Sequence, residues 1–213
     1  MVRLNKSPLP HGVTIKSETD YREGEVLRIL CDDCLDKCYI CEEYPSTVNI
    51  EHRIPHRGNP ALKFDWNNLF LSCGHCNKIK HDKFDNIIDP TKCDPEKHMI
   101  FSVYFDDGIV CKVKVDPLST DEATLQTVEL LELVYNGGSD NIKKIESDSI
   151  RKHLTKQIRS LSQLIKGYQD EPDLDYSNSF LCEIDRSAEF AAFKRKIVRD
   201  DPDLSKEFAE ALD

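Results

Sequence analysis

The sequence predicts an α+β fold: a small strand, strand and helix unit closed by paired cysteines, then a hairpin, then a helical C-terminal region. Three observations carry this expectation. Two C-x-x-C pairs, Cys38/Cys41 and Cys73/Cys76, flank two short β-prone runs. Asp107-Gly108 separates two further apolar, β-branched runs, which is a strong hairpin signal. From Ile142 onward the apolar residues fall at helical spacing.

In chain order, Val26, Leu27, Leu30 and Leu35 recur at near-helical spacing after a Thr19/Asp20 cap candidate, so a helix is expected over Thr19–Leu35. Val48–Ile54 and Asn68–Ser72 read as strands, joined by a loop containing Pro55 to Pro60, and helix propensity resumes after Cys73. Met99–Phe105 and Ile109–Val115 form the hairpin. Leu118–Tyr135 reads as a helix ending at Asn136-Gly137-Gly138, and Ser139 and Asp140 restart one. Ile142, Ile145, Ile150, Leu154, Ile158, Leu161 and Ile165 make one apolar stripe, so that second helix should run to Gly167. Two shorter helices are expected over Ala188–Val198 and Leu204–Leu212.

With 213 residues, 39% hydrophobic and 32% charged, the chain has the composition of a soluble globular protein. It contains no run near the roughly 20 apolar residues that a bilayer span needs, and its first residues lack the apolar stretch of about 7 to 15 residues of a secretory signal. A cytoplasmic protein without membrane insertion is expected. Nine cysteines, an odd number, then argue for metal binding over a disulfide framework. The net charge of −10 is unfavourable for binding a polyanion. It is unevenly spread: from Glu51 to Phe84 six basic residues (Arg53, Arg57, Lys63, Lys78, Lys80, Lys83) stand against three acidic ones (Glu51, Asp65, Asp82), giving +3 and leaving −13 elsewhere.

Thiolates three positions apart in a tight turn can take adjacent vertices of a tetrahedron, and two such turns complete a closed structural Zn2+ site. We assign Cys38, Cys41, Cys73 and Cys76 as its ligands. Cys31 and Cys34 form a third C-x-x-C pair and are the alternative to Cys38/Cys41, but they continue a helical register in which cysteines three apart usually pack. Cys93, Cys111 and Cys182 are read as structural, and His75, inside the second pair, as exposed.

Around these cysteines stand Glu51-His52, Asn68 and Asn77, in NIEHRIP and WNNLFLSCGHCN. This placement resembles the HNH nuclease pattern, and the resemblance implies a ββα-metal finger. Phosphodiester hydrolysis needs an activated water, stabilisation of developing charge and help for the leaving oxygen. His52 suits the general base, since an ordinary imidazole is largely neutral at physiological pH. Glu51 and Asn77 offer hard oxygen ligands to Mg2+ or Mn2+. By the resemblance, Asn68 holds the loop bearing the catalytic histidine, with Asn67 as the fallback. His56, Arg57, Lys78, Lys80 and His81 are candidate phosphate contacts. Taken singly, each of these residues is also an ordinary strand end, turn residue or solvated charge.

KCYICEEYPSTVNIEHRIP, FDWNNLFLSCGHCNKIK and IIDPTKCDPEKHMIF, within residues 20 to 110, are similar to the HNH proteins of bacterial antiphage defence, the Septu type and its retron-associated relatives. That resemblance implies an effector working beside an ABC/SMC-like ATPase subunit, with self-association in the assembly left open. Periodicity and turn signals divide the chain into a nuclease unit at 1–116 and a helical region at 117–213, whose amphipathic stripe offers a docking face unless, from Ile142 to Ile165, it closes the chain's own core. DNA is the favoured substrate. An RNase acting on tRNA and a non-catalytic zinc module are the alternatives.

Overall fold

The computed structural model describes residues 1–138, 141–170 and 174–213. Two short helices, α1 (Glu18–Arg22) and α2 (Gly24–Asp33), replace the single helix expected over Thr19–Leu35. Gly24 adopts φ +63°, a left-handed conformation that breaks the helical path and costs little without a Cβ. The first helix starts at Ser17, whose backbone N–H donates to the Asp20 carboxylate at 2.9 Å, as in a capping box.

Strand β1 (Val48–His52) pairs antiparallel with β2 (Leu69–Cys73), from Val48 opposite Cys73 to His52 opposite Leu69. The first strand stops two residues before the expected Ile54. Arg53 N still reaches Asn68 O at 2.9 Å, but Ile54 N donates instead to the Asn68 side chain at 2.7 Å, and Pro55 has no N–H to continue a ladder. Between the strands lie α3 (Pro60–Lys63), capped by Asn59, and a single 3-10 turn, Trp66–Asn68, capped by Asp65. Asn68 therefore ends that turn, where the second strand was expected to begin. The strands deliver the chain into α4 (Gly74–Lys80).

A second two-stranded sheet pairs β3 (Met99–Asp106) with β4 (Ile109–Pro117) about Asp107-Gly108, with a register shift between Tyr104 and Phe105. Helix α5 (Glu122–Asn136) closes on Gly137 at φ +80°, as the Asn-Gly-Gly run implies. The restart expected at Ser139 and Asp140 lies outside the described residues. Helix α6 (Asn141–Asp170) continues past Gly167. It is followed by α7 (Leu174–Ile184), which periodicity did not reveal, and by α8 (Ala191–Asp200), α9 (Pro202–Glu207) and α10 (Ala209–Leu212). Phe190 in the left-handed region delays α8 beyond the expected Ala188, and Phe208 interrupts the helix expected over Leu204–Leu212.

One apolar core joins Ile40, Phe70 and Leu71 to Phe101 and Val113 of the hairpin, Leu130 and Val134 of α5, Leu154 of α6 and Phe193 of α8. A second gathers Leu161, Tyr168, Phe180, Ile184, Val198 and Leu204. The middle of the helical stripe, Ile150 to Leu161, thus closes the chain's own core, while Ile142 and Ile145 stay 71% and 72% exposed. Among the described residues no helix is long and apolar enough to cross a membrane.

A Cβ at position 137 would meet the Lys144 backbone at 2.5 Å, in addition to the strain of a positive φ. Gly137→Ala should therefore cost more than about 1 kcal/mol, read as a lower urea midpoint at unchanged slope.

Candidate active site

The sulfurs of Cys38, Cys41, Cys73 and Cys76 all lie within 4.8 Å of one another, with Cys41 and Cys73 at 3.9 Å. A zinc–sulfur bond of about 2.3 Å in a tetrahedron separates its sulfurs by about 3.8 Å, so the four residues fit that ion. Burial pushes the Cys76 thiol well above its ordinary value, so a set of thiolates there calls for a cation. Cys31 and Cys34 stand outside this cluster. Cys34 accepts a hydrogen bond from Leu71 N at 3.2 Å, and burial pushes its thiol up to about 12, as fits a packed residue. Cys111 and Cys182 are exposed, which corrects the expectation that they are structural.

From this knuckle a buried polar chain leads to β1. The Tyr39 hydroxyl donates to Glu51 Oε2 at 2.6 Å, while Lys80 Nζ donates to Glu51 Oε1 at 2.7 Å and to the His52 carbonyl at 2.8 Å. Glu51 is 4% exposed and Lys80 fully buried. Two expectations are corrected by this arrangement. Glu51 is not a free carboxylate: each oxygen already accepts one hydrogen bond and keeps one lone pair for Mg2+ or Mn2+. Lys80 turns inward and cannot meet a phosphate. Glu51 nevertheless reaches the cleft that His52 lines, so the two neighbours of β1 share one hollow.

His52 faces a cleft of about 290 Å3, also lined by Glu51, His56, Arg57, Asn77, His81 and Asp82. Its Nε2 lies 2.9 Å from the Lys63 carbonyl, which can only accept, so Nε2 carries the proton and Nδ1 keeps a free lone pair. Burial lowers the His52 pKa, favouring the neutral ring. Asn68 is 3% exposed and fixes the adjoining loop through Ile54 N at 2.7 Å, Ile54 O at 2.8 Å and Leu62 O at 3.0 Å. Its neighbour Asn67 is exposed. The His56 ring stands 4.7 Å from that of His52, centroid to centroid, and its Nδ1 accepts from Gly58 N at 3.0 Å. His56 therefore presents Nε2–H as a donor.

The remaining candidates are less available. Arg57 forms a two-pronged pair with Asp85 at 2.9 and 2.6 Å, and His81 bonds Asp82 at 2.6 Å. Lys78 lies on another hollow, with Glu43, His75 and Glu146. His75, expected to be exposed, is 8% exposed and links α4 to Val134 O and to Glu146, each at 2.9 Å. Of the six basic residues between Glu51 and Phe84, Arg53, Arg57, Lys63 and Lys80 stand in ion pairs with Asp89, Asp85, Glu18 and Glu51. The local +3 is thus mostly neutralised in place. Glu51 and Asn77, the two motif residues with hard oxygens, both line the cleft. A divalent ion held by this pair would share the Glu51 carboxylate with Tyr39 and Lys80.

Two participants escaped the sequence. Tyr39 had no signal beyond its place inside the Cys38/Cys41 pair, and the Lys63 carbonyl is a main-chain atom that no residue type announces.

No model of a known protein family matches the chain. Over 187 residues it is 27% identical to the Septu protein PtuB of Bacillus thuringiensis, covering 77% of this chain and 70% of that protein. This weak likeness supports a Septu-like defence protein.

Replacing Cys38 and Cys41 together by serine should abolish zinc retention and unfold the chain, whereas the Cys31→Ser/Cys34→Ser variant should keep one zinc; metal analysis of the purified variants reads both. Glu51→Ala should leave the Lys80 ammonium buried without its partner and cost about 3 to 5 kcal/mol in urea denaturation.

Proposed function

We propose that this chain is the nuclease-type component of an antiphage defence system, hydrolysing phosphodiester bonds with His52 as general base. The observation that carries the reading is the His52 imidazole itself. Its Nε2–H is held by the Lys63 carbonyl and its Nδ1 lone pair is free, in a cleft beside a four-thiol knuckle. Such a ring can take a proton from water; the resulting hydroxide attacks phosphorus, the bond to the leaving oxygen breaks, and that oxygen is protonated from solvent. His56 Nε2–H is a donor for a phosphate oxygen, and Asn68 holds the loop that follows His52. The geometry is compatible with the HNH arrangement in the base, in the middle asparagine and in the shared cleft of Glu51 and Asn77, with the Glu51 oxygens also hydrogen-bonded to Tyr39 and Lys80. The likeness to a Septu protein supports the defence role.

DNA is the substrate we favour, and an ABC/SMC-like ATPase is the partner implied by the Septu-type resemblance. The charge distribution supports dependence on a partner. A chain of net charge −10, with most basic residues near its cleft already paired, has little free positive surface for a polyanion. Incubation with plasmid, single-stranded DNA and total RNA, each with and without an ABC/SMC-like ATPase of the Septu type and with Mg2+ or Mn2+ added, tests the reading. No cleavage of any substrate in any arm would refute it.

His52→Ala should lower the cleavage rate by about 10^2- to 10^4-fold while zinc and fold stay intact. The pH dependence follows from the same ring. Burial places its folded pKa below the ordinary 6.5, so the neutral base persists as pH falls through that value and is lost only below it. The acid limb of kcat/KM should therefore have its midpoint under 6.5.

A further inference from the structure

We infer that Lys80 and Glu51 are a pair of positioning residues that carry the rigidity of the cysteine knuckle to His52, Lys80 clamping the His52 carbonyl and Glu51 joining that clamp to Tyr39. The inference rests on the reading of His52 as the base. Its own support is geometric. Tyr39 is fixed three ways: between two cysteines of the knuckle, by its backbone N–H donating to Leu71 O at 2.9 Å, and by stacking on Phe70 at 4.8 Å between ring centroids. Its hydroxyl is thus a fixed donor, and Glu51 Oε2 meets it at 2.6 Å. The other carboxylate oxygen takes Lys80 Nζ, and the same ammonium meets the carbonyl of His52 at 2.8 Å.

His52 is the last residue of β1, where the chain leaves the ladder, so the strand alone does not hold its far side. The clamp supplies a restraint at the main chain, and the Lys63 carbonyl supplies a second at ring Nε2. Two restraints at opposite ends of one side chain fix where its Nδ1 lone pair points. Stability does not explain the pair, because a buried ion pair is commonly matched by apolar residues of the same volume. Directionality does: an ammonium that donates to two fixed acceptors sets an orientation, which a methylene cannot.

The test uses the zinc-loaded full chain in two forms. Glu51→Gln/Lys80→Met removes both charges at near-constant volume, and Tyr39→Phe deletes a single hydroxyl. Zinc content and the urea midpoint confirm that each variant is folded. Imidazole 15N shifts then report the His52 tautomer, and kcat and KM are measured on whichever substrate the wild type cleaves. The expected result is retained zinc, a His52 ring that leaves the single Nε2–H tautomer for a mixture, and a kcat lower by about 10- to 100-fold at unchanged KM. Wild-type shifts and wild-type kcat in both variants would overturn the inference. So would a loss of rate repaired by added Mg2+, which would make Glu51 a metal ligand. If the double variant does not fold, Tyr39→Phe decides alone by the same readouts. If the wild type cleaves nothing, the proposed function fails, while the 15N shifts still decide whether the knuckle orients His52.

Discussion

Four sulfurs brought within 4.8 Å of one another are the constraint on which the rest of this structure depends. Thiols at that separation are a poor state by themselves: burial resists the charge of the thiolates, and neutral thiols are only weak donors and acceptors to one another. A single tetrahedral cation resolves both difficulties, and metal binding of this kind contributes roughly 10 to 16 kcal/mol to apparent folding free energy. Held there, it would tie residues 38 to 41 to residues 73 to 76. Because the second pair sits where β2 becomes α4, the tie would also fix the angle at which that helix leaves the sheet.

The consequences spread through neighbours of the knuckle. Tyr39, between two ligands, stacks on Phe70 and anchors Glu51, while His75, between the other two, reaches Val134 and Glu146. The first turn therefore reaches β1 through Glu51, and the second reaches the helical layer. Tyr135 adds a third link by donating from its hydroxyl to the Cys41 carbonyl at 3.0 Å. The long helices are not an appendage laid beside the knuckle, since their side chains complete its hydrogen bonding.

Much of this was legible in the sequence, for reasons that can be named. Paired cysteines impose a distance whatever surrounds them, Asp107-Gly108 fixes a hairpin by its own backbone preference, and the stripe from Ile150 to Leu161 needs only periodicity. The misreadings share a different origin. Reading Glu51 as a free ligand overlooked the Tyr39 hydroxyl and the Lys80 ammonium, which donate to its two oxygens. Lys80 reads as a solvated cation until Glu51 is known to be buried beside it. The break at Gly24 depends on one φ, and α7 lacks the regular apolar spacing that exposes α6. His75 looked exposed because its partners, Val134 and Glu146, lie some 60 to 70 residues away in the chain.

The ion pairing around the cleft also bears on thermodynamics. Arg53, Arg57, Lys63 and Lys80 spend their charge on carboxylates of the same chain, so they attract few condensed cations away from a nucleic-acid backbone. Counterion release scales with the phosphates that are newly neutralised, at about 0.9 ion for each contact on a duplex. With Lys78 and Lys83 as the cations left over in this segment, its contribution to the log–log dependence of affinity on salt is a slope of only about −2. Recognition at this cleft would therefore draw little of its free energy from released ions, and would persist at ionic strengths that strip proteins held by their basic surfaces.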